Sequence, residues 1–380
     1  MTRIKRILFI IESFSFGGCE KALIETANLL CDNGYDVSVL SLFKKSIYRG
    51  YAFNADVLFD KRVHYAYLSD NAVAWKYRLT CFLLHRCPAA LYRVFVRNNY
   101  DRVVAFCEGA PTRFVAKATI KKNLKIAWLH TATELSQKGK SAEALVIEKA
   151  LYQRFSKIVA VSKGVAESFV RTFPSLESKL AVAYNPINLH RIREMAYMAI
   201  DPVKPPYPLL VSVGRITWAK GYDRYLRVIK RLKERGLLFS VWIIGGGDCR
   251  PLEAFCQSTK LDCVHFWGNK TNPYPYMLMA DWIVVPSYVE GLSTVLIEGL
   301  ALGKATISTA CCGSEEIIGN NEFGLLVGND ETSLLSGLSQ ALTTPELKAL
   351  FENKAKLRAS SFDLNTSIQT IEKLLNDGSK

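Results

Sequence analysis

Short apolar runs rich in Val, Ile and Leu recur along this chain, and most lead through a glycine or polar pair into a stretch of helical periodicity. Residues 7–11, 37–42, 102–106, 125–129 and 158–161 are such runs in the first half, with a weaker one inside 61–68. Residues 209–213, 241–244, 264–267, 282–285 and 305–308 repeat the design in the second. Strands that are apolar on both faces and alternate with helices pack as parallel, doubly wound sheets. At 380 residues there is chain enough for two such domains. The proline-rich segment 201–208 reads as a linker, so a first domain is expected over 1–200 and a second over 209–362.

The most informative stretch is 281–303, DWIVVPSYVEGLSTVLIEGLALG. It reads as a strand, a loop through Pro286-Ser287 and Glu290-Gly291, and a helix from Thr294. Ligands of open α/β sheets sit where such strands end and such helices begin, and a helix N-terminus favours anions. Glu298 lies among Val295, Leu296, Ile297 and Leu300. Buried, its carboxylate requires specific donors, such as sugar hydroxyls; on a polar stripe of the helix it would simply be solvated.

Glu290 precedes Glu298 by eight residues. This E-x7-E spacing, with its flanks PSYVEGL and EGLALG, resembles the signature of retaining glycosyltransferases of sequence family four. The resemblance implies the GT-B fold, two Rossmann-like doubly wound α/β domains facing a central cleft. It further implies that Glu290 contacts the donor sugar, Glu298 the nucleotide ribose, and the amides of Gly291, Leu292, Ser293 and Thr294 the diphosphate. Other elements are similar to the family's. GRITWAKGYD matches its G-R-x4-K-G-x-D element, in which Gly214 opens the loop and Arg215 and Lys220 neutralise the leaving diphosphate. Arg supplies a planar fork and Lys a point charge. GGCEK places Gly17 and Gly18 in the glycine loop that faces the donor phosphates, although a glycine pair alone is equally a tight turn. WLH places His130 beside the sugar, Asn185-Pro186 matches the turn at the domain exit, and Gly268 closes the strand against which the nucleobase packs. Cys311 to Ile318 resembles the Gly-x-x-Glu-Ile segment. GT-B chains also carry a last helix, here about 364–376 within 363–380, that returns to the first domain. Glu108 follows a strand and is a candidate for the acceptor side.

Charge is lopsided: 31 Lys and Arg against 17 Asp and Glu in residues 1–205, and 18 against 18 thereafter. A field confined to one half implies an anionic partner for it. Residues 75–102 interleave Trp75, Tyr77, Phe82, Tyr92, Phe95 and Tyr100 with Lys76, Arg78, Arg86, Arg93, Arg97 and Arg102, against the single acid Asp101. That pattern suits a helix lying on an anionic membrane surface, or an ordinary amphipathic helix with a solvated basic face. No apolar run reaches membrane-spanning length. The basic start 1–6 and the run 7–11 lead into Glu12 rather than a cleavage site, so they read as a first strand. Ten cysteines without a C-x2-C pair read as free thiols, and Cys249, Cys256 and Cys263 as marking a packed helix.

These readings converge on metal-independent, retaining transfer of a hexose or N-acetylhexosamine from a UDP-sugar to a lipid-pyrophosphate-linked or polysaccharide acceptor. The setting is bacterial surface glycan synthesis, by a cytoplasmic protein at the inner face of the membrane. No metal ligands and no cofactor beyond the nucleotide-sugar donor are expected. The alternatives are a non-catalytic nucleotide-sugar-binding protein and a 2-epimerase of the same fold; no nucleic-acid-binding motif is present.

Overall fold

The structure, a computed structural model, describes residues 5–14, 17–44, 59–70, 74–134 and 139–377. The chain forms two compact units, Met1–Pro186 with Asn365–Lys380, and Ile187–Leu364.

The first unit is built on β1 (Arg6–Ile11), β2 (Asp36–Phe43), β3 (His64–Ser69), β4 (Arg102–Ala105), β5 (Lys125–Leu129), β6 (Lys157–Ala160) and β7 (Leu180–Val182). All pairings are parallel, in the order β3-β2-β1-β4-β5-β6-β7. Ile7 lies opposite both Val37 and Arg102. Covered on both faces, the central strands carry runs of apolar residues, and Ile7, Phe9, Val37, Val104 and Val159 are fully buried. Each such side chain stabilises the fold by about 1.5–3 kcal/mol. Strand order reverses between β1 and β4, so the loops after these two strands open a crevice at one end of the sheet. The final helix, Leu364–Asn376, buries Ile368, Ile371 and Leu375. It is tied to this unit by Asn376 Nδ2 donating to Tyr35 Oη (3.1 Å) and by the ion pair Lys157–Asp377 (2.6 Å).

The second unit holds β8 (Leu209–Val213), β9 (Ser240–Ile244), β10 (Val264–Phe266), β11 (Trp282–Val285), β12 (Ala305–Thr309) and β13 (Leu325–Val327), again parallel, in the order β10-β9-β8-β11-β12-β13. The switch falls between β8 and β11. Trp282, in the centre of the sheet, meets Phe351 edge to face at 6.2 Å. The helix Tyr222–Glu234 presents Tyr222, Tyr225, Leu226, Ile229 and Leu232 to the same core, the i, i+3, i+4 spacing of one helical face.

Four features depart from the sequence reading. The division between units falls after Pro186 and not in 201–208, because the helix Leu189–Ala196 turns Leu189, Ile192 and Ala196 inward and packs within the second unit. There, Arg193 Nε donates to Ala301 O at 3.1 Å. The basic-aromatic segment is two helices, Ala74–Arg86 and Pro88–Phe95, since Pro88 lacks the N–H a continuous helix needs and begins the second one instead. Strand β13, only three residues long between Gly324 and Gly328, escaped the pattern. Of the thiols spaced seven apart, Cys256 is buried in the helix Arg250–Ser258, whereas Cys263 lies beyond it.

Candidate functional site

Two clusters of chemically active side chains occupy the switch points, one in each unit.

In the second unit the loop after β8 carries Gly214, Arg215 and Lys220, and the loop after β11 carries Ser287, Glu290 and Gly291. These loops are fastened by backbone: Tyr288 N donates to Ala219 O at 2.8 Å. Gly221 makes the approach possible. Its φ is +66°, and a Cβ there would lie 2.2 Å from the carbonyl oxygen of Pro286. Gly221→Ala is therefore expected to destabilise the protein by about 2–4 kcal/mol, from left-handed strain plus overpacking against backbone. An unchanged urea midpoint would contradict this close packing.

The result of that packing is an ion pair. Lys220 Nζ lies 2.7 Å from Glu290 Oε1, and Ser287 Oγ donates to the same oxygen at 2.6 Å. Ser287, almost completely buried, was read in the sequence only as the break after the strand. Gly291 is held from behind, because a Cβ on Gly313 would fall 2.2 Å from Gly291 O and only glycine lets the helix Cys312–Ile318 pack there.

The helix Thr294–Ala301 begins four residues after Glu290, with Ser293 at its N-cap. The Ser293 side chain makes no capping bond, so the first-turn amides that follow Gly291 and Leu292 face the loop without a side-chain oxygen of their own. Glu298 is 3% exposed, which rules out a solvated stripe. Its Oε1 is 3.5 Å from the hydroxyl of Tyr274, a neighbour that lies in no motif of fixed length. Gly268, φ +64°, follows β10, and its carbonyl accepts from Gly245 N at 2.8 Å.

In the first unit His130 follows β5, and Glu108 follows β4. Glu108 Oε1 accepts from the backbone N–H groups of both His130 and Thr131, each at 2.8 Å. Burial raises the Glu108 pKa against the opposing pull of these bonds. Burial pushes His130 down to about 3, only partly offset by its hydrogen bond to the Phe106 backbone. The imidazole is thus neutral at physiological pH, and its buried Nε2 has no hydrogen-bond partner among the described residues. Asn185 Oδ1 is likewise buried without a partner among them. Cys19 Sγ donates to Phe106 O (3.4 Å), drawing the start of the helix Gly18–Asp32 onto this loop. Gly17 differs from expectation: its N–H is already taken by Glu20 Oε2 at 2.9 Å, which places a carboxylate at the glycine pair. Ser15 and Phe16 of the same loop lie outside the described residues.

The family model for Glycosyltransferase Family 4 matches residues 16–191, and that for Glycosyl transferases group 1 matches 197–358. The chain belongs to glycosyltransferase family four. Among its relatives is the N-acetylgalactosamine-N,N'-diacetylbacillosaminyl-diphospho-undecaprenol 4-alpha-N-acetylgalactosaminyltransferase of Campylobacter jejuni, 34% identical over 217 residues. That match spans 56% of this chain and 58% of the relative. A second C. jejuni relative, named as a GalNAc-alpha-(1->4)-GalNAc-alpha-(1->3)-diNAcBac-PP-undecaprenol alpha-1,4-N-acetyl-D-galactosaminyltransferase, is 26% identical over 95% of both chains. Among solved structures, Anabaena HepE in complex with UDP and glucose has a TM-score of 0.77 at 17% identity, covering 98% of this chain and 100% of that one. The two parallel-sheet, Rossmann-like units are thus those of the GT-B fold of this family. Among the described residues of this family-four chain, no helix is long and apolar enough to cross a membrane.

Proposed function

We propose that this family-four protein is a retaining glycosyltransferase that moves a hexose or N-acetylhexosamine from a UDP-sugar to a lipid-pyrophosphate-linked or polysaccharide acceptor in bacterial surface glycan synthesis. The observation that carries this reading is the Lys220–Glu290 pair, at the switch point and just ahead of the uncapped helix Thr294–Ala301. The C. jejuni relatives, whose names specify undecaprenyl diphosphate acceptors, support the acceptor class, and the UDP complex of HepE supports the nucleotide.

In this reading Glu290 meets a hydroxyl of the donor sugar, and Glu298 meets the ribose. Gly291 to Thr294 lend amides to the diphosphate, with Gly214 allowing the loop after β8 to approach and Gly268 lining the base. Negative charge grows on the diphosphate as the glycosidic bond breaks. Arg215 and Lys220 stabilise it, and no bound metal is required for that electrostatic role. The neutral His130 offers Nε2 as an acceptor to a sugar hydroxyl, with Glu108 fixing its backbone. Gly17, Gly18 and Asn185 complete the donor contacts of this reading in the first unit, the Glu20 carboxylate that accepts from Gly17 N–H favouring hydroxyls over phosphate there. Among the described residues none is positioned as a convincing nucleophile, so in this reading the acceptor hydroxyl attacks from the face that the diphosphate leaves, which retains anomeric configuration.

A cytoplasmic protein peripheral to the inner membrane face completes the reading. On the helix Ala74–Arg86, Trp75 (63% exposed), Leu79 and Phe82 form an outward i, i+4, i+7 stripe. Lys76, Arg78 and Arg86 flank it, Val94 and Phe95 extend the exposed apolar surface, and residues 71–100 contain no acid. Apolar wedges with a basic surround bind anionic bilayers. Purified protein is expected to release nucleotide from one UDP-sugar in a panel of UDP-, GDP- and ADP-sugars, faster when a lipid-pyrophosphate glycan is supplied in phosphatidylglycerol vesicles. The same vesicles should sediment the protein, whereas neutral phosphatidylcholine should not. UDP binding with no release from any donor would instead mark a binding protein.

A further inference from the structure

Two tryptophans of this chain have strongly exposed side chains: Trp75, on the basic helix, and Trp218, 70% exposed, in the loop between Arg215 and Lys220. An indole left in water beside a polar site forgoes the stabilisation of burial, and here it is also held in place. Its ring stacks on Tyr288 with centroids 5.0 Å apart and planes at 17°. Tyr288 is fixed in turn from several directions. Its hydroxyl donates to Asp223 Oδ2 at 3.1 Å, its carbonyl accepts from Asn329 Nδ2 at 3.0 Å, and its N–H donates to Ala219 O. The guanidinium of Arg224 lies 4.2 Å from the Tyr288 ring centroid, itself anchored on Pro286 O (2.8 Å) and Asn329 Oδ1 (2.9 Å). The outer element of this pile is a flat apolar surface two residues from Lys220, and its support stands two residues from Glu290.

A flat apolar surface rimmed by charges matches one ligand chemistry closely. A pyranose ring has an apolar C–H face and an edge of hydroxyls, so it can cover an indole while its edge reaches the polar rim. We propose that Trp218, backed by Tyr288 and Arg224, is a stacking platform for a pyranose ring of the acceptor glycan, outside the donor-binding residues. This rests on the transferase reading above and adds a specificity-determining residue to it. A rigid platform of this kind fixes the orientation of the sugar whose hydroxyl attacks, because the ordering of the side chains precedes binding.

The test uses the full-length protein and two probes, methyl N-acetyl-α-galactosaminide as a soluble pyranoside and UDP. Saturation-transfer NMR titrations are run on the wild type, Trp218→Ala and Trp218→Phe. The pyranoside is expected to bind the wild type with or without saturating UDP, to bind Trp218→Ala at least ~5-fold more weakly, and to recover most of its affinity in Trp218→Phe. UDP affinity should be the same in all three, which also verifies that the exposed substitution leaves the site folded. Equal pyranoside affinity in wild type and Trp218→Ala, or no binding to either, overturns the platform. So does loss of UDP affinity in Trp218→Ala, or competition between UDP and the pyranoside, because the ring would then serve the donor. Binding does not depend on turnover, so a failure of the transferase reading shows separately, as absence of nucleotide release.

Discussion

Replacing Glu290 or Lys220 by alanine is expected to slow sugar transfer at least ~10²-fold while leaving the protein folded. The two side chains meet at 2.7 Å at the mouth of the helix Thr294–Ala301, with the Glu290 side chain 10% exposed and that of Lys220 27%. On the proposed reading, removing Lys220 takes a cation from the point where the departing diphosphate gathers charge. Glu290 would still be bonded to Ser287, so the structural loss is limited to about 1–3 kcal/mol. Removing Glu290 takes away the proposed contact to the reacting sugar and the ion-pair partner of Lys220. Because the two act as one unit, the double variant should be little slower than the worse single one. Initial rates on the preferred UDP-sugar, measured beside urea unfolding, decide the matter. Near-normal rates in both single variants would sink the assignment of the donor site.

Acid should unfold this protein through His130 to a degree that one histidine rarely matters. Its pKa is about 3 in the folded chain against 6.5 for the ordinary group. Between those values the unfolded chain binds a proton that the native protein refuses, so stability rises with pH there. The contribution is complete above pH 6.5 and is lost as the pH falls toward 3, the loss amounting to roughly 5 kcal/mol at the acid limit. Glu108, which accepts from the His130 and Thr131 backbone N–H groups, titrates in the opposite sense because burial raises its pKa. The measurement must therefore be a difference. Urea-derived stability of wild type minus His130→Asn, followed from pH 7 to pH 4, is expected to fall steadily with acidification. A flat difference would mean that the imidazole takes up its proton in the folded protein at the same pH as in the unfolded chain, and would contradict the burial-driven shift.

The strands were legible because a parallel sheet covered on both faces demands unbroken apolar runs. Residues 125–129, 209–213 and 282–285 therefore coincide with β5, β8 and β11. The three-residue β13 carries too little pattern to separate from its glycine flanks, and the basic-aromatic pattern runs on across Pro88, where one helix ends and the next begins. The boundary between units was misplaced because prolines mark where a chain is stiff and exposed, whereas the packing of Leu189 and Ile192 depends on residues some eighty to a hundred positions away. At the candidate site, spacing singled out Glu290, Glu298, Arg215 and Lys220, since each lies in a motif of fixed length. Ser287, Tyr274 and the Trp218–Tyr288 stack lie in no such motif. Their roles come from side chains meeting across loops, and the only sequence signal was an unusual tryptophan between two cations.

The central claim, that Arg215 and Lys220 drive metal-independent transfer with retention, is tested most directly by following one reaction by proton NMR. The preferred UDP-sugar and lipid-pyrophosphate acceptor are incubated with the protein in excess chelator at fixed ionic strength, and the anomeric signal of the product is read. The account predicts a product with the anomeric configuration of the donor, formed at the rate seen without chelator. A product of inverted configuration, or a reaction abolished by chelator and restored by a divalent cation, would contradict it.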